Sequence, residues 1–127
     1  MRGSIVVDSS VWIEIFREGP LASKSRKILD THTVVGVPTT SIYEIYRKIH
    51  SSVSEESALS VIAYLKQYPV LDLSLELAVA AAEISLLHKL GMADSIMLAH
   101  AQIEEAKLIT MDNDFAGIKN AQVLRKD

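Results

Sequence analysis

The sequence predicts a three-layer α/β domain, a mostly parallel sheet covered by helices on both faces. Short β-branched runs alternate with longer segments of helical apolar spacing, the pattern of βαβ units. At 127 residues the chain fits one domain over 1–127. With 49% apolar and 23% charged residues it can build a packed core, which argues against disorder.

Ser4-Ile5-Val6-Val7 reads as a buried strand, and Asp8-Ser9-Ser10 as the helix start behind it. Val11, Ile15 and Phe16, with Trp12 beside them, keep helical spacing until Gly19-Pro20. A second helix covers Ala22 to Leu29, followed by a strand over Thr33 to Val37 that Pro38 closes. Thr39-Thr40-Ser41 caps a helix with Ile42, Ile45, Tyr46 and Ile49 along one stripe. Another helix spans Ser52 to Tyr68, with Ser54 as cap and Ser57 three residues on. Val70 to Leu73 forms a third strand. Ser74 to Leu90 is helical and stops at Gly91 in the C-terminal position. Asp94 opens a helix to about Glu105, Lys107 to Thr110 is the fourth strand, and Ala121 to Leu124 is the last.

Composition removes several classes of function. The absence of cysteine excludes disulfides, thiolate metal sites and cysteine nucleophiles. At 6% aromatic content, a surface of many base-stacking rings is not expected, and a net charge of −3 gives no general attraction for nucleic acid. Met1-Arg2-Gly3-Ser4 holds no signal-peptide stretch, and the apolar run Leu75 to Leu87 is broken by Glu76, Glu83 and Ser85. A soluble, cytoplasmic protein is expected.

Ligands of such sheets sit at the carboxyl ends of strands. Asp8 follows the first strand and Asp112 the fourth, while Asp94 opens a helix and Glu44 lies within the helix after the second strand. Carboxylates that converge repel one another, so such a cluster suits a hard cation, and Mg²⁺ or Mn²⁺ suits phosphate substrates. Each acid also has an ordinary reading. Asp8 or Ser9 can cap a helix, Glu44 can pair with Lys48, Asp94 can cap, and Asp112 with Asp114 can serve a turn. The joint pattern over separate elements is the stronger signal.

Ile5-Val6-Val7-Asp8-Ser9-Ser10-Val11, Ser41-Ile42-Tyr43-Glu44, Ala93-Asp94-Ser95-Ile96 and Leu108-Ile109-Thr110-Met111-Asp112-Asn113-Asp114-Phe115 resemble, in order, the four motifs of PIN domains. The resemblance runs from Ile5 to about Leu124, and the length is that of the small stand-alone VapC toxins. It implies a five-stranded parallel sheet and a metal-dependent endoribonuclease. It also implies catalytic and metal-binding roles for Asp8, Glu44, Asp94 and Asp112, with Asp114, Ser9 and Thr110 in support. An antitoxin partner and a homodimer are implied too. Hydrolysis by an external water would leave a 5′-phosphate and a 3′-hydroxyl.

Arg17, Lys24, Arg26 and Lys27, with Arg47 and Lys48, are candidates to steer RNA phosphates, or else scattered solvated charges. An EF-hand fails because Val123 stands where a bidentate Glu is required. A phosphorelay receiver lacks its paired acids after the first strand. An aspartyl phosphatase wants an acid where Ser10 stands. His32, His50, His88 and His100 form no pair at zinc spacing. Two alternatives stay open: a catalytically idle protein-binding module on the same fold, and a host RNA-processing nuclease outside any toxin pair.

Overall fold

The computed structural model describes residues 3–126. Met1 and Arg2, part of the opening segment read above, and Asp127 lie outside them. Strand β1 (Ser4–Val7) leads into α1 (Ser9–Phe16) and α2 (Ala22–Thr31). Then come β2 (Thr33–Val34), β3 (Val37–Pro38), α3 (Thr39–Ser52), α4 (Glu55–Leu65) and β4 (Val70–Leu71). The chain continues through α5 (Leu75–His88), α6 (Met92–Ile103), β5 (Lys107–Thr110), a 3₁₀ turn (Asn113–Phe115) and β6 (Ala121–Val123).

Every strand pairing among these is parallel. The order is β2-β1-β5-β6 in one sheet and β3-β4 in a second. The expected five-stranded sheet is therefore four strands plus two, because the single strand expected over Thr33 to Val37 is broken. Its first half pairs with β1, where the Val35 amide donates to the Ile5 carbonyl (3.0 Å). Its second half turns to the segment before β4, where the Val37 amide donates to the Pro69 carbonyl (2.8 Å). The crossing happens at Gly36, where a Cβ would lie 2.7 Å from Leu71 Cγ and 2.8 Å from the Pro69 oxygen. Only a residue without a side chain lets the two backbones approach so closely.

Alternation along β1 and β5 divides the core. Ile5, Val7 and Ile109 face α1, α3 and α4, packing with Trp12, Ile45 and Leu65. Val6 and Leu108 face the other way, onto Leu77 and Ala81 of α5 and Leu98 of α6. Both faces of the central strands are covered, as a parallel sheet requires.

Helix boundaries follow local chemistry. Ser54 caps α4 by accepting the Ser57 amide (3.0 Å), as the sequence indicated. The turn between α5 and α6 differs from expectation. Helix α5 ends at His88, and Lys89, not Gly91, takes the left-handed conformation (φ 58). Gly91 is extended (φ −67, ψ 172) and stands as the N-cap of α6. Buried Leu90 accounts for the early turn, since its side chain must reach the core and its carbonyl accepts the Ser85 hydroxyl (2.6 Å). Among the described residues no helix is long and apolar enough to cross a membrane.

Candidate active site

Strands β1 and β5 are neighbours, with Val7 beside Ile109, so the segments leaving their carboxyl ends emerge together. Asp8 continues the ladder for one step, its amide donating to the Ile109 carbonyl (2.8 Å). Its backbone carbonyl starts α1, accepting the Val11 amide (3.0 Å), but its side chain makes no capping bond. That carboxylate is buried. Oδ2 accepts the Thr110 hydroxyl (2.8 Å) and the Ser10 hydroxyl (2.9 Å). The same two hydroxyls hold the opposite segment. Thr110 Oγ1 accepts the Asp112 amide (3.1 Å) and Ser10 Oγ accepts the Met111 amide (3.1 Å). One pair of hydroxyls thus fixes Asp8 relative to the loop that carries Asp112.

Glu44 reaches in from α3. Its Oε1 accepts the Ser9 hydroxyl (3.0 Å), and among the described residues it forms no ion pair with Lys48. Asp94 sits in the first turn of α6, two residues past the helix start, so it is not a cap. Asp112 does serve a turn, its Oδ1 accepting the Asp114 amide (2.9 Å) and so starting the 3₁₀ turn. That ordinary role and membership in the cluster coexist. Asp94, Asp112 and Asp114 each present one carboxylate oxygen, and these oxygens all lie within 4.8 Å of one another. Asp114, given a supporting part from the sequence, therefore stands in the tightest group, with Asp8 and Glu44 beside it.

The charges of these acids act on one another. Burial chiefly pushes the Asp94 carboxyl from its ordinary 3.8 up to about 6, and the charges of Asp112, Asp8, Asp114 and Glu44 push the same way. Burial also raises Asp8, opposed by the bonds from Thr110, Ser10 and the Ser9 backbone, with Asp112 adding repulsion. Glu44 is raised by burial and by Asp8, against its bond from Ser9. Among the described residues, no Lys or Arg forms an ion pair with any of these acids within 4.0 Å. An all-oxygen, uncompensated and partly buried negative cluster fits a hard divalent cation.

The basic candidates separate. Arg47 and Lys48 line a cavity of about 420 Å³ together with Ser9, Ile13, Tyr43 and Glu44, beside the acids. Arg26 instead pairs with Glu18, donates to the Ile15 carbonyl (3.2 Å), and lines a different cavity. Lys24 donates to the Arg125 carbonyl (3.2 Å), and Lys27 is exposed on α2. Arg17 caps the end of α1 away from Asp8. Ser10 was missed by sequence reasoning as a site residue. The available signal was its place two residues after an acid at a strand end, where a hydroxyl can turn back on that acid.

Thr110 is fully buried and bonded on both sides, so Thr110→Val is expected to destabilise the protein by about 1–3 kcal/mol. It strips a donor from a buried carboxylate and leaves the Asp112 amide without its acceptor. Thr110→Ser keeps the hydroxyl and should recover most of the loss. Urea unfolding of both variants checks this, and equal destabilisation would show that the methyl group, not the hydroxyl, is what matters.

The sequence profile of the PIN domain matches residues 5–121. No curated protein matches the chain. Solved structures are similar in fold. A toxin–antitoxin complex from Klebsiella pneumoniae aligns with TM-score 0.80 at 21% identity, over 94% of this chain and 96% of that one. DNA-bound VapBC from Salmonella typhimurium gives 0.73 at 20% identity, over 98% of each chain. Mycobacterium tuberculosis VapC20, a toxin that cleaves the sarcin–ricin loop, gives 0.73 at 16% identity, over 91% of this chain and 97% of that one.

Proposed function

The chain belongs to the PIN domain family, and on that premise we propose that it is a divalent-metal-dependent endoribonuclease, the toxin of a toxin–antitoxin pair. The observation that carries the proposal is the uncompensated acidic cluster at the carboxyl ends of the two central strands. Asp8, Glu44, Asp94 and Asp112 are its catalytic and metal-holding residues, and Asp114, in the tight group with Asp94 and Asp112, joins them. Mg²⁺ or Mn²⁺, when bound there, supplies Lewis acidity and lowers the pKa of water.

The chain's own groups do the rest. Thr110 and Ser10 hold the Asp8 carboxylate at a fixed angle, and Ser9 does the same for Glu44, so neither must be ordered when RNA arrives. A carboxylate of the cluster accepts the proton of the attacking water, which leaves a 5′-phosphate and a 3′-hydroxyl. With a net charge of −3 the chain as a whole repels RNA. Arg47 and Lys48, on the cavity that also contains Glu44, draw the phosphates locally. The fold likeness to a toxin that cleaves the sarcin–ricin loop supports RNA as substrate.

The partner is a cognate antitoxin. An apolar groove of about 800 Å³ between α3 and α4, lined by Ile42, Tyr46, Leu59 and Ile62, suits its amphipathic segment. Tyr43 and Arg47 border both this groove and the cavity at Glu44, so a segment lying in it can deliver an Arg or Lys to the acids. The chain acts as one domain in the cytoplasm, as a homodimer.

The test is incubation of purified chain with defined RNAs in Mg²⁺, Mn²⁺ or chelator, with the cut ends mapped. Cleavage that needs metal and leaves 5′-phosphates is expected. Undiminished cleavage in chelator would sink the metal requirement, and no cleavage with either ion would leave an idle PIN-fold binding module.

A further inference from the structure

Of the chain's one Trp, four Tyr and two Phe, all but one ring have a place in the packing. Trp12, Phe16, Tyr64 and Tyr68 form one aromatic cluster, with ring centroids between 5.6 and 6.4 Å apart. Phe115 is fully buried. Tyr46 packs against the core with its ring beside His50 at 5.6 Å. Tyr43 is the exception. It is 67% exposed and has no ring partner among the described residues.

A lone exposed ring is ordinary on a protein surface. The place of this one is not. Tyr43 directly precedes Glu44 on α3 and lines the cavity of about 420 Å³ that also contains Ser9, Glu44, Arg47 and Lys48. Arg47 stands four residues on, on the same helix face, where such pairs lie about 5–6 Å apart at Cβ. Among the described residues neither Arg47 nor Lys48 forms an ion pair. The mouth of the acidic site therefore offers a flat apolar face and two uncompensated cations within about one helical turn. A ring for the base and a cation for the backbone are the elements by which proteins hold single-stranded nucleic acid. A nucleotide carries both a planar base and an anionic phosphate, whereas an aliphatic side chain would use only the ring.

We infer that Tyr43 is the stacking platform for a base next to the scissile phosphate, with Arg47 on the neighbouring backbone. The inference rests on the ribonuclease reading above and adds the group that selects the form of the RNA. In a duplex both faces of a base are covered by its neighbours, so the ring takes only an unpaired, unstacked nucleotide. Every base has a π-face, so the platform favours single-stranded or loop RNA over any one base.

Kinetics on a single-stranded RNA that the chain cuts, with an abasic nucleotide placed on either side of the cut in turn, test it. Tyr43→Ala should raise KM roughly 5- to 150-fold, the worth of one stacked base, with kcat nearly unchanged. Tyr43→Phe, which keeps the ring, should recover most of that loss, and Tyr43→Leu, which keeps only bulk, should not. One of the two abasic substrates should cost the parent as much as Tyr43→Ala does, and cost the Tyr43→Ala chain nothing further. Arg47→Ala should flatten the salt dependence of KM, while Tyr43→Ala should leave its slope alone. An unchanged KM in Tyr43→Ala, or losses that simply add, would overturn the platform and leave the nuclease standing. Fluorescence anisotropy of a labelled single-stranded RNA on the Asp94→Asn chain, with and without Tyr43→Ala, supplies a readout without turnover. A parent that cuts no RNA, with binding that depends on Tyr43, overturns the nuclease alone. Neither cleavage nor Tyr43-dependent binding overturns both.

Discussion

Replacing Asp94 with Asn is expected to lower RNA cleavage by at least about 100-fold while leaving the metal-free protein as stable as before, or about 1 kcal/mol more stable, at pH 8. A side chain needed only for the fold cannot give both results. Asn keeps the volume and the polar atoms but removes one of several crowded negative charges. The sign follows from the raised carboxyl. Asp94 titrates at about 6 in the folded chain against an ordinary 3.8, so the native state binds its proton more readily than the unfolded state does. Its contribution is complete below about pH 4 and is lost as pH rises through 6. The gap between variant and parent should therefore be widest at pH 8 and close on acidification. Solvent screening at this half-exposed position keeps it near 1 kcal/mol.

His100 works in the opposite sense. It is buried, and burial lowers its pKa, so acid below about 6.5 costs stability there. It does so equally in both proteins, and the difference between them isolates Asp94. Added Mg²⁺ or Mn²⁺ should raise the Tm of the parent more than that of the variant. Thermal unfolding from pH 4 to 8 in chelator, repeated with metal and paired with a cleavage assay, measures all of this. Equal cleavage and equal metal stabilisation would remove Asp94 from the site.

The second large effect is in the core. Trp12→Ala is expected to cost about 3–5 kcal/mol, enough to unfold a marginally stable chain. The ring is fully buried, stacked on Phe16 at 6.0 Å and in contact with Tyr68 at 5.6 Å and Tyr64 at 6.4 Å. Its Nε1 has no hydrogen-bond partner among the described residues, so the loss is one of packing. Trp12→Phe, which also deletes that orphaned donor, should cost much less. The position bears on function because α1 begins with Ser9 and Ser10, whose hydroxyls hold Glu44 and Asp8. Urea unfolding supplies the measurement. A cost for Trp12→Ala below 1 kcal/mol would mean that the aromatic cluster closes over the gap.

The sequence revealed the layers and the convergence of acids because both depend on local signals. The short apolar runs of β1 and β5, buried on both faces, and the Asp8 and Asp112 positions after them can be read residue by residue. The break at Gly36 could not be seen that way, since its cause is the approach of Leu71 and Pro69, more than thirty residues on. Gly91 misled for a similar reason. A glycine after a helical run ordinarily marks a C-terminal turn, but burial of Leu90 forced the left-handed turn onto Lys89 and left Gly91 to open the next helix. Ser10 and the promotion of Asp114 depend on side-chain directions set by the fold, which spacing alone does not encode.

The bond from the Thr110 hydroxyl to Asp8 joins residues 102 positions apart. A chain growing from the ribosome carries Asp8 and Glu44 long before it carries their complement. The β1–β5 pairing waits for nearly the last strand, and a contact of such sequence separation forms slowly even then. Until synthesis has passed Asp114, the acids cannot gather. Under the proposed activity, a chain whose synthesis has not passed Asp114 lacks the assembled acidic cluster. The distance in sequence between the first and last site residues therefore makes assembly of the cluster a late step in the folding of this domain.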